Sequence, residues 1–313
     1  MGAPRPPTSL SRAPVAALRP FVRLVWASRA TAGAPKGPSL EHVLPTGAMH
    51  LVVRSGHAPL RLLEPDLVLR GSVIGGARSS AYRKDASFAV DSVGAMIEPG
   101  ACAALLGIPG SEASETHLSL ADVWGSSDER RLRERLEECR TLDARLVLFE
   151  SLLLERVRRA SCIHPMVSQS VHALGASPET RIADLVARSG YSHRVFVRRF
   201  REATGFGPKT YARVLRFQRA VAAVSSSTGG DDARLALDLG YADQAHFCRE
   251  FREISGLRPA EYRAAAPSAM NHVPRGPAVP GREGQIRSIA ARAGAASSPS
   301  VEQPTRHQEP IVR

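Results

Sequence analysis

The apolar positions of residues 181–262 fall at helical spacing in two blocks that repeat one another. In the first, Leu185 and Val186 precede Gly190, Tyr191 and Ser192, and then come Phe196, Arg198, Phe200, Gly205, Pro208 and Tyr211. In the second, Leu235 and Ala236 precede Gly240, Tyr241 and Asp243, followed by Phe247, Arg249, Phe251, Gly256, Pro259 and Tyr262. The offset is 50 residues up to the turn and 51 from the first Phe onward, so one residue is inserted just after the turn. At about 100° per residue, Phe196 and Phe200 share one helix face, and Arg194, Arg198 and Arg201 occupy the opposite one. Phe247 and Phe251 stand likewise against Ala245, Arg249 and Arg252, with Gln244, His246 and Cys248 on the flanks. Each block predicts a short helix, a Gly-centred turn and a second helix that buries aromatics and shows cations. The stretch from Pro208 to Val224 predicts a helix joining the two blocks.

Upstream the period changes. Short β-like runs at Phe21–Ser28, Ala48–Arg54 and Phe88–Ile97, punctuated by Gly and Pro, predict a mixed domain over residues 16–125. From Glu129 the spacing turns helical, with Leu132, Leu136, Leu142, Leu146, Phe149, Leu153 and Val157 forming a stripe in connecting helices over 126–160. That stripe serves as intramolecular core or as the seam of a homodimer. The ends, 1–15 and 267–313, are rich in Pro, Ser, Ala, Gly and Arg and are expected to be disordered, the second as a basic tail. The expected fold class is α+β, an N-terminal mixed α/β domain followed by an all-α domain, 161–266, of two helix-turn-helix motifs and a linker helix.

Charge sharpens this picture locally. Between Ser192 and Arg219 stand Arg194, Arg198, Arg199, Arg201, Lys209, Arg213, Arg216 and Arg219 against Glu202 alone. Such a density attracts phosphate and offers planar forks to guanine edges. The overall charge of +12 agrees but argues less, because the arginine excess is spread along the whole chain. Four cysteines without ligand-like spacing suit a reduced, cytoplasmic compartment. The early apolar run Phe21–Ala27 is broken by Arg23 and is too short for an export signal or a membrane span. Gly205–Thr210, GFGPKT, lacks the glycine spacing of a phosphate loop and is expected to be the turn between helices. His50 and His57, with Glu41 and Glu64, lack the close histidine pair a metal centre needs, and no nucleophile elbow or HExxH is present. No catalysis, cofactor or metal is expected.

The repeat resembles the two-motif DNA-binding domain of AraC-type transcriptional regulators over about a hundred residues, from near His164 to Ala266. The resemblance is fullest in LALDLGYADQAHFCREFREISGLRPAEYR, where Gly240, Tyr241, Asp243, Phe247, Arg249, Phe251, Gly256, Pro259, Tyr262 and Arg263 keep the family's order. Gly207 departs from it, standing where a Ser or Thr would cap the next helix, and Leu257 and Arg258 likewise lack a hydroxyl before Pro259. The resemblance implies two recognition helices in successive major grooves on one face of double-stranded DNA. Carried over by position, the base-facing candidates are Arg194, Val197 and Arg198 in the first motif and Gln244, Ala245, His246 and Arg249 in the second, with Arg201 and Arg252 on the same outward faces. Arginine favours guanine, Gln244 suits adenine, and Val197 or Ala245 can touch a thymine methyl. RNA polymerase and a small-molecule or protein effector at the front domain are the further partners implied.

The front half resembles the uncharacterised N-terminal domain of one AraC-like subgroup, on LPTGAMHLVV (Leu44–Val53) and EPGACAALLGIPGSEASETHLSLADVWG (Glu98–Gly125). Thr46 replaces an acidic residue usual there, and Glu98 replaces an Arg or apolar residue. The rival reading from another class is a protein-interaction module whose repeat docks an acidic protein in place of DNA. Dependence of binding on DNA sequence separates the two.

Overall fold

The computed structural model describes residues 8–30, 39–56, 58–63, 66–87, 90–157, 162–227 and 232–275. The α+β class holds. The strands are β1 (Ser9–Arg12), β2 (Val22–Ser28), β3 (Leu40–Val43), β4 (Met49–Arg54), β5 (Leu60–Leu63), β6 (Asp66–Leu69), β7 (Val73–Gly75), β8 (Tyr82–Asp85), β9 (Ser92–Ile97), β10 (His117–Ser119) and β11 (His272–Arg275). They form a six-stranded sheet, β1-β2-β9-β4-β7-β10, and a five-stranded one, β11-β3-β8-β5-β6. All named pairs are antiparallel, with Met49 opposite Ile97 and Val22 opposite the same residue across β9.

Alternation along the central strands decides where the first core lies. Val25 and Ala27 of β2, Leu51 and Val53 of β4, and Val93, Ala95 and Ile97 of β9 are buried, as period-2 patterning requires. Short helices α1 (Cys102–Leu106), α2 (Gly110–Ala113) and α3 (Leu120–Trp124) lead into α4 (Ser126–Glu137) and α5 (Leu142–Val157). The leucine stripe of these last two is intramolecular core: Leu132, Leu136, Leu142, Leu146, Phe149 and Leu153 are buried in the same cluster as the sheet. Glu150, on α5, accepts from both terminal nitrogens of Arg12 (3.0 and 2.6 Å) and from the Val15 amide (2.8 Å).

Two segments expected to lie outside the folded domains are strands. β1 pairs with β2 in the register Ser9↔Ser28, and β11 pairs with β3 in the register His272↔Val43. Each has its partner far along the chain or across a loop, so composition alone hides it. Residues 1–7 and 276–313, the outer parts of both expected tails, lie outside the described residues.

Behind the sheets come α6 (Pro165–Ala176), α7 (Ile182–Ser189), α8 (His193–Thr204), α9 (Pro208–Ser226), α10 (Asp232–Asp238), α11 (Gln244–Ser255) and α12 (Pro259–Ala265). Leu185, Phe196, Phe200, Phe206 and Tyr211 belong to the core of the first sheet. Phe217, Val221, Tyr241, Phe247, Phe251 and Tyr262 form a second core, which takes in Leu44 and Val273. No helix among the described residues is long and apolar enough to cross a membrane.

Candidate nucleic-acid interface

The repeated sequence folds into repeated geometry. Gly190 (φ 70°) and Gly240 (φ 76°) sit in the left-handed region at the turn after α7 and α10, where a Cβ is disfavoured. The Ser192 hydroxyl accepts from the Val195 amide at the start of α8 (3.5 Å), and the Asp243 carboxylate accepts from the His246 amide at the start of α11 (2.6 Å). These caps satisfy amides that a helix start leaves free. Phe196, Phe200, Phe247 and Phe251 are each 0% exposed. Ring centroids of Phe200 and Tyr211 lie 5.6 Å apart, and those of Phe251 and Tyr262 5.9 Å. The Gly205–Gly207 half of GFGPKT is the turn between α8 and α9, with Gly205 ending one helix and Pro208–Thr210 opening the next.

One element of the repeat escapes the hydrophobic pattern. The Thr204 hydroxyl donates to Phe200 O (2.8 Å) and accepts from the Phe206 amide (3.3 Å). Ser255 does the same with Phe251 O (2.6 Å) and the Leu257 amide (3.0 Å). Both hydroxyls are buried, and they satisfy backbone groups where the chain leaves the recognition helix. The 51-residue offset was the available signal.

Outward from this scaffold, Arg194, Arg198, Arg201, Gln244, Ala245, Arg249 and Arg252 are exposed, and Val197 and His246 are half-buried. The burial side of each helix thus matches the wheel. Capping follows the departures in sequence only in part. Gly207 gives α9 no side-chain cap, but the Arg258 amide at the start of α12 donates to Glu261 Oε2 (2.8 Å), a carboxylate reaching back from the first turn.

The basic run is divided by the fold. Arg213 Nε and Arg216 Nη2 lie 3.2 and 2.8 Å from the carboxylate of Glu250 on α11, whose side chain is 8% exposed. Arg213 also reaches Glu253 (2.7 Å), and Arg219 donates to Ala176 O at the end of α6 (2.6 Å). These three cations tie the linker helix to its neighbours. A guanidinium also lies over each post-turn tyrosine, Arg199 over Tyr191 at 5.2 Å and Arg216 over Tyr241 at 4.7 Å.

The front domain meets this region through the two stretches that carry its own resemblance. In the first, a Cβ at Gly47 would lie 3.5 Å from the Tyr211 ring and 3.6 Å from Val214, and Pro45 O accepts from Gln218 Nε2 (2.7 Å). In the second, a Cβ at Gly110 would meet Ala203 O at 2.5 Å, and one at Gly100 would meet Val167 at 2.9 Å. Thr46 accepts from the Ala48 amide (3.3 Å) and Glu98 pairs with Arg23 (3.0 Å), so both departures from the subgroup have local structural partners. Between the sheets His117 is 6% exposed and its Nδ1 lies 3.4 Å from Arg78 Nη2. Burial, followed by nearby cations, pushes His117 down to about 3 and His50 down to about 4. Burial also pushes the Cys102 thiol up to about 12, which leaves it an unreactive core residue. His57 and Glu64 lie outside the described residues; among the described residues no three metal-capable side chains cluster.

A capped two-helix unit with an outward cationic second helix, built twice on one linker, defines a helix-turn-helix protein. Comparison with known proteins agrees: residues 185–265 match the family of helix-turn-helix domains, and residues 11–119 match a domain of unknown function, DUF6597. The chain carries a helix-turn-helix domain behind a DUF6597 domain. An uncharacterized HTH-type transcriptional regulator of Haemophilus influenzae is 32% identical over 82 residues, 26% of this chain. The chain spans 27% of the length of that curated relative. Two solved structures of ToxT from Vibrio cholerae are similar at 11% and 10% identity, with TM-scores of 0.42 and 0.41. They cover 82% and 84% of this chain and 98% and 99% of their own.

Proposed function

We propose that this protein regulates transcription by binding double-stranded DNA sequence-specifically, with α8 and α11 in two successive major grooves. The observation that carries this is the repeat in three dimensions: two recognition helices with matching caps and buried aromatics, each exposing its candidate base-reading side chains, held by one linker. That linker, α9, has 19 residues and so spans roughly 28 Å. Successive major grooves on one face are about 34 Å apart. Arg194, Val197 and Arg198 are the base readers of the first motif and Gln244, Ala245, His246 and Arg249 those of the second, with Arg201 and Arg252 toward the backbone. An effector acts at the front domain by binding unequally to two arrangements of the motifs docked on it.

Selection of bound duplexes from a random pool tests this reading. The full-length chain is required, because the first motif has its core in common with the front domain. An enriched site about two helical turns long, lost in an Arg194→Ala/Arg198→Ala double variant, is the expected result. No enrichment by the folded chain would overturn it in favour of a repeat that docks an acidic protein. Arg198→Ala alone should cost about 1 to 3 kcal/mol on the selected site and relax preference at one base position. A uniform loss over all sequences would make Arg198 a phosphate contact.

A further inference from the structure

Beside the recognition helices lies a basic cleft that their exposed faces do not include. It has a volume of about 370 Å³, and Arg181, Lys209, Arg213 and Arg216 line it together with Thr180. No carboxylate is among its lining residues. Two of the cations are held in place from behind, since Glu250 of α11 takes hydrogen bonds from Arg213 Nε (3.2 Å) and from Arg216 Nε and Nη2 (3.1 and 2.8 Å). The other two, Arg181 at the start of α7 and Lys209 in the first turn of α9, are exposed and take part in none of the ion pairs among the described residues.

We propose that this cleft is a phosphate clamp, seating one backbone phosphate of the bound DNA. The proposal rests on the DNA-reading function above and adds a site to it. Four cations against two carboxylates, the buried Glu250 and the exposed Glu253 on Arg213, leave positive charge in the opening, and the Arg216 guanidinium, braced through Nε and Nη2, keeps its remaining donors in a fixed position suited to an anion. The cleft lies between the lead helix of the first motif and the linker, and its carboxylate brace comes from the recognition helix of the second. A phosphate seated there contacts side chains whose positions depend on both motifs. It therefore fixes register on the duplex without reading sequence.

The test uses the full-length chain, a duplex that it binds, and a series of that duplex in which each phosphate in turn is a neutral methylphosphonate. Arg181→Ala/Lys209→Ala removes the two exposed cations. Arg188→Ala removes an exposed cation of the same helix α7 that does not line the cleft. The double variant should lose roughly tenfold in affinity on every sequence alike and lower the salt slope by about 2. Neutralising one particular phosphate should weaken the parent but not the double variant. If the double variant loses no more per charge than Arg188→Ala, or if every methylphosphonate affects it as it affects the parent, the cations act only through general attraction and the clamp is overturned. If the parent binds no duplex, the DNA-reading function itself fails and the clamp with it. A thermal melt matching the parent's shows that either loss is local.

Discussion

The two helix-turn-helix motifs share a backbone plan but not a foundation. The first is continuous with the front domain: Phe196, Phe200 and Tyr211 lie in one cluster with the strands of the six-stranded sheet. The second has its own core, closed by Leu44 and by Val273 of the C-terminal strand. The charge pattern differs at matching positions as well. Arg199 in the first motif is exposed, whereas Glu250, 51 residues on, is 7% exposed and holds the linker. Equal sequence spacing therefore hides unequal mechanics. The first motif has its core in common with the six-stranded sheet, whereas the second meets the front domain through α9, Leu44, the Ala81 amide donating to Ile254 O (2.7 Å) and the pairing of β11 with β3.

The largest test of that contrast is a pair of truncations. Phe200→Ala and Phe251→Ala should each cost about 3 to 5 kcal/mol, but their reach should differ. Hydrogen exchange should show β4 and β9 losing protection with α8 in the first variant, and only the second motif opening in the other. Equal loss across β4 and β9 in both would break the comparison.

Acid should act next, and on the front domain. His50 and His117 have folded values of about 4 and about 3, below the usual 6.5, so the unfolded chain binds their protons first. The stability they contribute is complete above pH 6.5 and is lost as pH falls through that value toward 4 and 3. Each contributes up to about 1.4 kcal/mol per pH unit in that window. Urea midpoints from pH 7 to pH 4.5 should fall for the parent and fall less for His117→Gln. An identical decline in both would exclude His117 as a source.

Smaller effects separate the attachments of the second motif. Glu250→Gln keeps the shape but removes the charge that holds Arg216 and leaves Arg213 with Glu253 alone, and should destabilise the second motif by about 1 to 3 kcal/mol, below the cost of breaking a fully buried pair because both guanidiniums reach water. Arg199→Gln, at the matching position, should stay within about 0.5 kcal/mol. Comparable melts for the two variants would remove the distinction. Val273→Ala should cost about 1 to 2 kcal/mol and lower the exchange protection of α11 and α12 more than that of α8. Equal loss in α8 would mean that the strand secures the whole helical region.

Much of the candidate interface was legible from sequence because it is local. Phenylalanines four residues apart place themselves on one helix face whatever the surroundings, and Gly190 and Gly240 mark turns that need a left-handed residue. The expected exposed and buried sides of α8 and α11 hold for that reason. The buried hydroxyls of Thr204 and Ser255 were also present in the repeat, but a polar residue between apolar ones reads as surface until its backbone partners are known.

What the sequence determined by itself was the pair of motifs, their faces and the linker between them, since these follow from helical period, turn chemistry and capping within a few residues. Only the tertiary structure decided which cations remain outward, because Arg213 and Arg216 meet their carboxylate 37 and 34 residues away. It alone showed that the motifs stand on different cores, and that His272 returns to Glu41 across 231 residues to close the second sheet (2.6 Å). Pairings at such separations are chosen by the packing of the whole chain, and no local pattern of residues records them.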